Sequence, residues 1–224
     1  MEALKSLAAD VLEGARAMNA SGINRGTSGN VSARCPGNEF SFLITPTGMA
    51  YDACTPQSMV RLGKDGSSDS GRFSEHSPSS AWRFQHDIYA ARPEANAVVH
   101  THSAFATALA CQHQEVPAFH YMVARFGGDS VRCADYATFG TQALSDAILV
   151  ALKDRSACLM AHHGMVVFGR DVRHALDLAI ELETLCEQYW RVLQLGDAKI
   201  LPADEMRRVI EKFSTYGQQP AAMK

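Results

Sequence analysis

The sequence predicts one domain of mixed α/β type with its sheet in the middle. Amphipathic helical patterns stand near both ends of the chain, and short β-rich runs lie between them. Neither an internal repeat nor a convincing linker divides the 224 residues. This length suits a single domain, 1–224, that buries a substantial core.

The first half of the chain alternates between helix and strand signals. In order, we predict a helix over 2–19, strands over 29–34 and 39–44 around the turn Pro36-Gly37-Asn38, and a loop over 45–48. An exposed polar loop or hairpin over 63–78 follows, and then a helix that begins near 78–80 and ends at about 91. Apolar residues at three- and four-residue steps indicate the first helix. The hydroxyls of Ser79 and Ser80 can cap the free amides of the second helix.

The second half begins with a strand that contains His100. The elements predicted after it are a helix over 103–112, extended segments over 119–123 and 130–133, a helix over 141–152, a buried strand over 157–160, a long helix over 171–195 and a last helix over 202–213 before a polar tail. Asp171 is expected to cap the long helix, and Gly196 to close it.

Composition excludes several classes of function. The net charge is −3, so neither nucleic acid nor an anionic membrane is an expected partner. No apolar run approaches the roughly 20 residues of a membrane span, and the N-terminus lacks the apolar core of a signal peptide. Six cysteines stand without any CxxC pair, which favours free, mostly buried thiols and a reducing, cytoplasmic location.

Histidines are the most informative residues of the chain. His100 and His102 are two apart in a predicted strand, so both side chains face the same way. A third ligand could come from His162 or His163, between which the sequence pattern does not decide. Three nitrogens with an open position are typical of a catalytic divalent metal, usually zinc, although manganese or cobalt also fit. The alternative is that these are ordinary histidines at strand ends.

Two polar segments could hold a phosphate. Thr27, Ser28 and Asn30 lie in a glycine-containing loop and offer short neutral donors. Ser79 and Ser80 stand at a helix start, where free amides and the helix dipole favour anions. Each segment alone is more typical of a plain turn or a plain cap.

Several runs together make the chain resemble the class II aldolase/adducin family. These runs are Gly26–Ser32, Ile44–Gly48, Pro78–Ser80, Trp82–Phe84, Ala97–His102, Pro117–Met122, Tyr136–Thr141, His162–Gly164 and Glu211–Phe213. They keep their order and spacing from residue 2 to about 217, so the resemblance covers nearly the whole chain.

The resemblance implies a three-layer α/β/α fold around a mostly antiparallel sheet, in a four-fold symmetric homotetramer with active sites between neighbouring subunits. It implies one zinc ion per subunit, and cleavage of a ketose 1-phosphate of the L-fuculose 1-phosphate type into dihydroxyacetone phosphate and an aldehyde such as L-lactaldehyde. The zinc ligands it implies are His100, His102 and His163. The phosphate-binding residues it implies are Thr27, Ser28, Asn30, Thr47, Gly48, Ser79 and Ser80. Tyr121, contributed across the subunit interface, is implied as the proton donor to the aldehyde oxygen.

One position departs from the family pattern. Where the family has glutamate, as general base and as a zinc ligand of the free enzyme, this chain has Ala81. Neither Glu75 nor Asp87 is a convincing substitute. The chain is then a non-catalytic binding module, as adducin is, or a related epimerase, dehydratase or decarboxylase with another base, or an inactivated form of a working aldolase. We favour the last, because every flanking position still fits.

Overall fold

The structure is a computed structural model that describes residues 2–37, 39–68 and 74–213. Its helices are α1 (Glu2–Ala20), α2 (Trp82–Ala91), α3 (Ala104–Cys111), α4 (Gln142–Ala151), α5 (Val172–Gln194) and α6 (Ala203–Phe213). Its strands are β1 (Asn30–Arg34), β2 (Ser41–Ile44), β3 (Val60–Gly63), β4 (Ala97–Thr101), β5 (Val116–Pro117), β6 (Ser130–Val131), β7 (Cys133–Ala134), β8 (Ala157–Met160) and β9 (Gly164–Gly169).

A seven-stranded sheet forms the middle of the molecule, in the order β3-β2-β1-β4-β9-β8-β7. Every neighbouring pair is antiparallel except β7 and β8, which are parallel. Strand β4 is central and lies between β1 and β9, with Asn30 opposite His100 and Met165 opposite Thr101. The histidines therefore stand at the end of the most enclosed part of the sheet.

Each face of the sheet has its own hydrophobic core, because side chains alternate along the strands. Ala97 and Val99 of β4 belong to the core under α1, α3 and α5. Val98 belongs to the opposite core, where α2 and α4 pack. Three layers with a mostly antiparallel sheet confirm the predicted α/β/α fold.

Most predicted elements are present. Strands β3, β5 and β9 are additional to them: β3 merges into a polar segment, β5 has only two residues, and β9 is bounded by glycine at both ends. Residues 119–123 are wrong as an extended segment: a 3₁₀ helix runs over Tyr121–Phe126, where the His120 ring accepts a hydrogen bond from the Met122 amide at 3.3 Å.

Parts of three predictions lie outside the described residues. These are Asn38 of the first turn, 69–73 of the polar loop and the tail after 213. Within the described ranges, no helix has both the length and the apolar character that a membrane span requires.

Candidate active site

Three histidines meet at the end of β4. His100 is the fourth residue of that strand, His102 follows its last residue, and His163 lies in the turn between β8 and β9. One nitrogen of each ring lies within 4.8 Å of the others, and each pair of ring centroids is 4.9 Å apart. Because His100 is buried, His163 half-buried and His102 exposed, the cluster opens to solvent on one side.

Two glycines let the neighbouring strands approach the histidine-bearing segment. A Cβ on Gly29, just before β1, would lie 2.7 Å from the His100 carbonyl oxygen. A Cβ on Gly164, the first residue of β9, would overlap the Thr101 carbonyl oxygen and lie 3.2 Å from Cδ2 of the His102 ring. Glycine is therefore required on both sides of β4 for the histidines to converge.

The chain after His102 is anchored by a carboxylate from α5. The Ser103 hydroxyl donates to Glu183 at 2.7 Å, and the amides of Phe105 and Ala106 donate to it at 2.8 and 2.9 Å. Glu183 thus takes the place of a local N-cap and satisfies two free amides at the start of α3. The backbone that carries His102 is fixed by this contact.

The protonation of the cluster suits metal binding. The His100 Nδ1–H donates to the Met165 carbonyl at 2.8 Å, which leaves Nε2 as the free lone pair. Burial, followed by the neighbouring His163 and His102, lowers the pKa of His100 well below its ordinary value. Burial and the neighbouring His102 lower the pKa of His163 to about 4. Neutral imidazoles at ordinary pH are the form that binds metal.

The separation of the ring nitrogens fits a common ion. Nε2 of His100 and Nε2 of His102 are 3.2 Å apart. Two nitrogens at about 2.0–2.1 Å from one tetrahedral ion are about 3.3 Å apart. With three imidazoles and an open side, the site fits a catalytic divalent ion such as zinc.

His162 points away from the cluster. Its backbone adopts the left-handed conformation, with φ 53°, and its Nε2 lies 2.9 Å from Nε2 of His113. The left-handed residue reverses the chain direction, so the two adjacent histidines separate. The structure therefore brings His163 to the cluster, and His162 lies at its rim.

A cavity of about 260 Å³ lies beside the histidine cluster. It is lined by Ser28, Asn30, Ser80, Ala81, Phe84, His100, His102, Tyr136, Ala137, Phe139, Gly140, His162 and His163. The side formed by 136–140 carries exposed aromatic rings on Tyr136 and Phe139. The sequence pattern predicts no role for this side of the cavity, although Tyr136–Thr141 is one of the runs that carry the family resemblance.

The predicted phosphate-binding residues are only partly gathered at this cavity. Ser28, Asn30 and Ser80 line it. The others, which do not, are Thr27, Thr47, Gly48 and Ser79.

The loop after β2 nevertheless lies against the serine segment. A bridge joins Pro46 to Pro78, and the Thr47 amide donates to the Ser77 carbonyl at 3.0 Å. The Ser79 hydroxyl accepts from the Ala81 amide at 3.3 Å, a local bond just before the helix. The N-cap of α2 is Ala81, and no side chain makes the capping hydrogen bond that was expected of Ser79 and Ser80. Together the loop and the helix start form a polar surface next to the cavity.

Ala81 faces the cavity, and no lining residue carries a carboxylate. Asp87 accepts hydrogen bonds from Gln142 at 2.8 Å and from Ser145, and it contacts His86 at 2.8 Å. Glu75 is exposed and does not line the cavity. Within the described residues, neither of these two acids therefore lines the cavity beside Ala81.

Tyr121 does not line the cavity. Its side chain is 50% exposed, and its ring lies parallel to that of Phe213 with centroids 6.3 Å apart. The centroid of the His120 ring lies 4.8 Å from the centroid of the Tyr121 ring. The Tyr121 ring is therefore held at the surface by its neighbours.

Comparisons with known proteins identify the family of the chain. Residues 9–190 match the family described as Class II Aldolase and Adducin N-terminal domain. The 5-methylthioribulose-1-phosphate/5-deoxyribulose-1-phosphate aldolase of Rhodospirillum rubrum is 49% identical over 207 residues, 92% of this chain and 90% of that protein. The L-fuculose phosphate aldolase of Escherichia coli K12 is 42% identical over 212 residues, 94% of this chain and 95% of that protein.

A solved L-fuculose 1-phosphate aldolase superposes with a TM-score of 0.88 at 29% identity, covering 93% of this chain and 96% of that one. The family match covers most of the sequence, and two relatives exceed 40% identity over nearly the whole length. The chain belongs to the class II aldolase/adducin family.

Proposed function

We propose that this chain has the active site of a zinc-dependent aldolase that cleaves a ketose 1-phosphate into dihydroxyacetone phosphate and an aldehyde. The observation that carries the proposal is the convergence of His100, His102 and His163 beside a cavity with neutral hydrogen-bond donors. An ion held by these rings would supply Lewis acidity toward a substrate carbonyl.

The remaining residues bind and orient the substrate. The phosphate-binding set is Thr27, Ser28, Asn30, Thr47, Gly48, Ser79 and Ser80. Their hydroxyls and amides favour an anion at the start of α2 through short donors and the helix dipole. Tyr121 of the neighbouring subunit would take the proton of the C4 hydroxyl during cleavage, and would return it in the condensation direction.

Cleavage also needs a proton delivered to C3 after the C3–C4 bond breaks, and removed from C3 in the reverse direction. A carboxylate at position 81 would carry that proton, and Ala81 has none. We therefore expect this form to be nearly inactive, and we interpret it as an inactivated form of a working aldolase. The intact histidine cluster and the serine residues beside it support this interpretation over a general loss of the site.

Two ketose 1-phosphates are candidate substrates. L-Fuculose 1-phosphate leaves a hydroxylated aldehyde, L-lactaldehyde, when its C3–C4 bond breaks. 5-Methylthioribulose 1-phosphate leaves a two-carbon aldehyde that carries an apolar methylthio group. The relative at 49% identity is named for the second substrate, and the wall formed by Tyr136, Ala137 and Phe139 suits its apolar end.

Assembly and location are part of the same proposal. In a homotetramer with active sites between subunits, the exposed Tyr121 ring of one subunit would lie at the cavity of its neighbour. A cytoplasmic location agrees with a sugar-phosphate substrate and with cysteines that are all unpaired in the described residues.

The proposal is tested by metal analysis and ligand titration. The zinc-loaded chain should hold one ion per subunit and bind dihydroxyacetone phosphate in calorimetry, and removal of the ion by a chelator should abolish that binding. The variant His163→Ala should lose both the stoichiometric zinc ion and the binding of dihydroxyacetone phosphate. Full zinc occupancy without any binding of dihydroxyacetone phosphate would contradict the proposal and favour an epimerase, dehydratase or decarboxylase. Capture of a protein partner in a pull-down, without any binding of a phosphate-containing ligand, would favour an adducin-like binding module.

A further inference from the structure

Gln85 is a polar side chain in a fully buried position. It lies on α2, one helical turn after Ala81, and its side chain has 0% relative exposure. Its backbone amide donates to the Ala81 carbonyl at 3.5 Å, so both residues lie on the same face of the helix. A buried amide is costly unless it is hydrogen-bonded, and an apolar residue of similar size would pack there without that cost. The position therefore calls for a polar partner.

That partner is Asn30. The Gln85 Nε2–H donates to the Asn30 Oδ1. Asn30 is itself 2% exposed, lines the cavity and lies directly opposite His100 on the adjacent antiparallel strand. Directly opposite residues of such a pair have their side chains on the same face, with Cβ atoms about 4.5–5.5 Å apart. Gln85 thus reaches the cavity only through Asn30.

The contact fixes which end of the Asn30 amide faces the cavity. Oδ1 of Asn30 is engaged by Gln85, so Nδ2 is the polar end of that amide that remains for the cavity that Asn30 lines. In the reverse arrangement both side-chain amides are flipped. Nδ2 of Asn30 then donates to Oε1 of Gln85, and the NH₂ group of Gln85 is left unpaired in the core.

The unpaired atom supports the first arrangement. Oε1 of Gln85 is buried without a partner. In the reverse arrangement the unpaired group would be a buried N–H donor, and buried donors without partners are rarer in proteins than under-satisfied carbonyl oxygens. The described orientation is therefore the more favourable one.

We propose that Gln85 is a positioning residue that holds the Asn30 amide with its NH₂ group toward the cavity, as a donor to a substrate oxygen beside the histidine cluster. The inference rests on the proposed function, because the substrate oxygen belongs to a sugar phosphate. Asn30 touches the substrate and Gln85 does not.

A double-mutant cycle tests this role by calorimetry with dihydroxyacetone phosphate on the zinc-loaded chain. Gln85→Met keeps the length of the side chain but removes the donor, so the Asn30 amide loses its fixed orientation. We expect binding to weaken by about three- to tenfold, the value of one hydrogen bond. Asn30→Asp still accepts from Gln85 but offers the cavity no donor, and should weaken binding at least as much.

The background variant Asn30→Ala separates positioning from packing. If Gln85 acts through Asn30, then Gln85→Met should have no further effect on binding in that background. The same loss in both backgrounds would mean a packing role and would overturn the proposal. Unchanged binding by Gln85→Met at full zinc occupancy would also overturn it.

A second measurement needs no substitution. Neutron diffraction of the unsubstituted chain distinguishes the nitrogen from the oxygen of an amide, and we expect Nδ2 of Asn30 on the cavity side. Oδ1 on that side would overturn the inference whatever the substitutions do. If the zinc-loaded chain binds no dihydroxyacetone phosphate, the proposed function fails while the neutron result still decides the orientation.

Discussion

Restoring a carboxylate with Ala81→Glu should convert this chain into an active aldolase. Ala81 has helical backbone angles, φ −79° and ψ −1°, so glutamate fits there without a change in the backbone. Its side chain borders a cavity of about 260 Å³ that has room for the added carboxylate. The start of α2 also favours a negative charge through the helix dipole.

The expected gain follows from the value of a general acid–base group. Such groups contribute about 10²–10⁴ in rate. At about 1.36 kcal/mol per decade, this is about 2.7–5.4 kcal/mol of activation free energy. The new carboxylate should also tighten zinc binding, since it adds a fourth ligand to the three imidazoles.

The assay couples release of dihydroxyacetone phosphate to a dehydrogenase, with L-fuculose 1-phosphate and 5-methylthioribulose 1-phosphate as substrates at full zinc occupancy. Ala81→Gln is the matched control, because it fills the same space but carries no base, and it should remain as slow as the starting chain. A zinc-loaded Ala81→Glu variant that cleaves neither substrate would refute the aldolase assignment. A starting chain that already turns over at the rate of the variant would refute the assignment of the base.

Three further outcomes are expected. His163→Ala should abolish stoichiometric zinc binding, measured by elemental analysis after dialysis, whereas His162→Ala should retain it; equal losses would contradict the division of roles between the two residues. Gly164→Ala should weaken zinc binding by about ten- to a hundredfold, as changes around metal ligands do, because its Cβ would displace the Thr101 backbone; unchanged affinity would show that the clash relaxes harmlessly. The metal-free protein should lose stability in urea titrations as the pH falls from about 6.5 to about 4. His163 has its folded pKa lowered to about 4, so in that window the unfolded chain binds more protons. A flat profile would contradict this.

The histidine site could be predicted from the sequence because strand periodicity alone places His100 and His102 on one side. The third ligand could not, since adjacent histidines in an extended chain are equivalent by spacing. What separates them is the left-handed backbone at His162, which is a property of the turn between β8 and β9. The resemblance to the family pointed to His163, and the turn supplies the physical reason.

Other parts of the site carry no local signal. By sequence pattern, Gln85 is an ordinary polar residue of a helix. Only the folded structure shows that its side chain is buried and hydrogen-bonded to Asn30. The carboxylate of Glu183 reaches the start of α3 from 80 positions away in the sequence. Contacts of this kind depend on the packing of α2 and α5 against the sheet, which periodicity does not specify.

The distance along the chain between the histidines has a thermodynamic consequence. His102 and His163 are 61 positions apart by their numbers, and they meet only when the β4–β9 pairing is complete. An ion held by all three rings would therefore bind the folded chain in preference to the unfolded one. At a free concentration a hundred times its Kd, such an ion adds about 2.7 kcal/mol to the stability of the fold. With such an ion bound, the three histidines would therefore contribute to the stability of the fold as well as to the site.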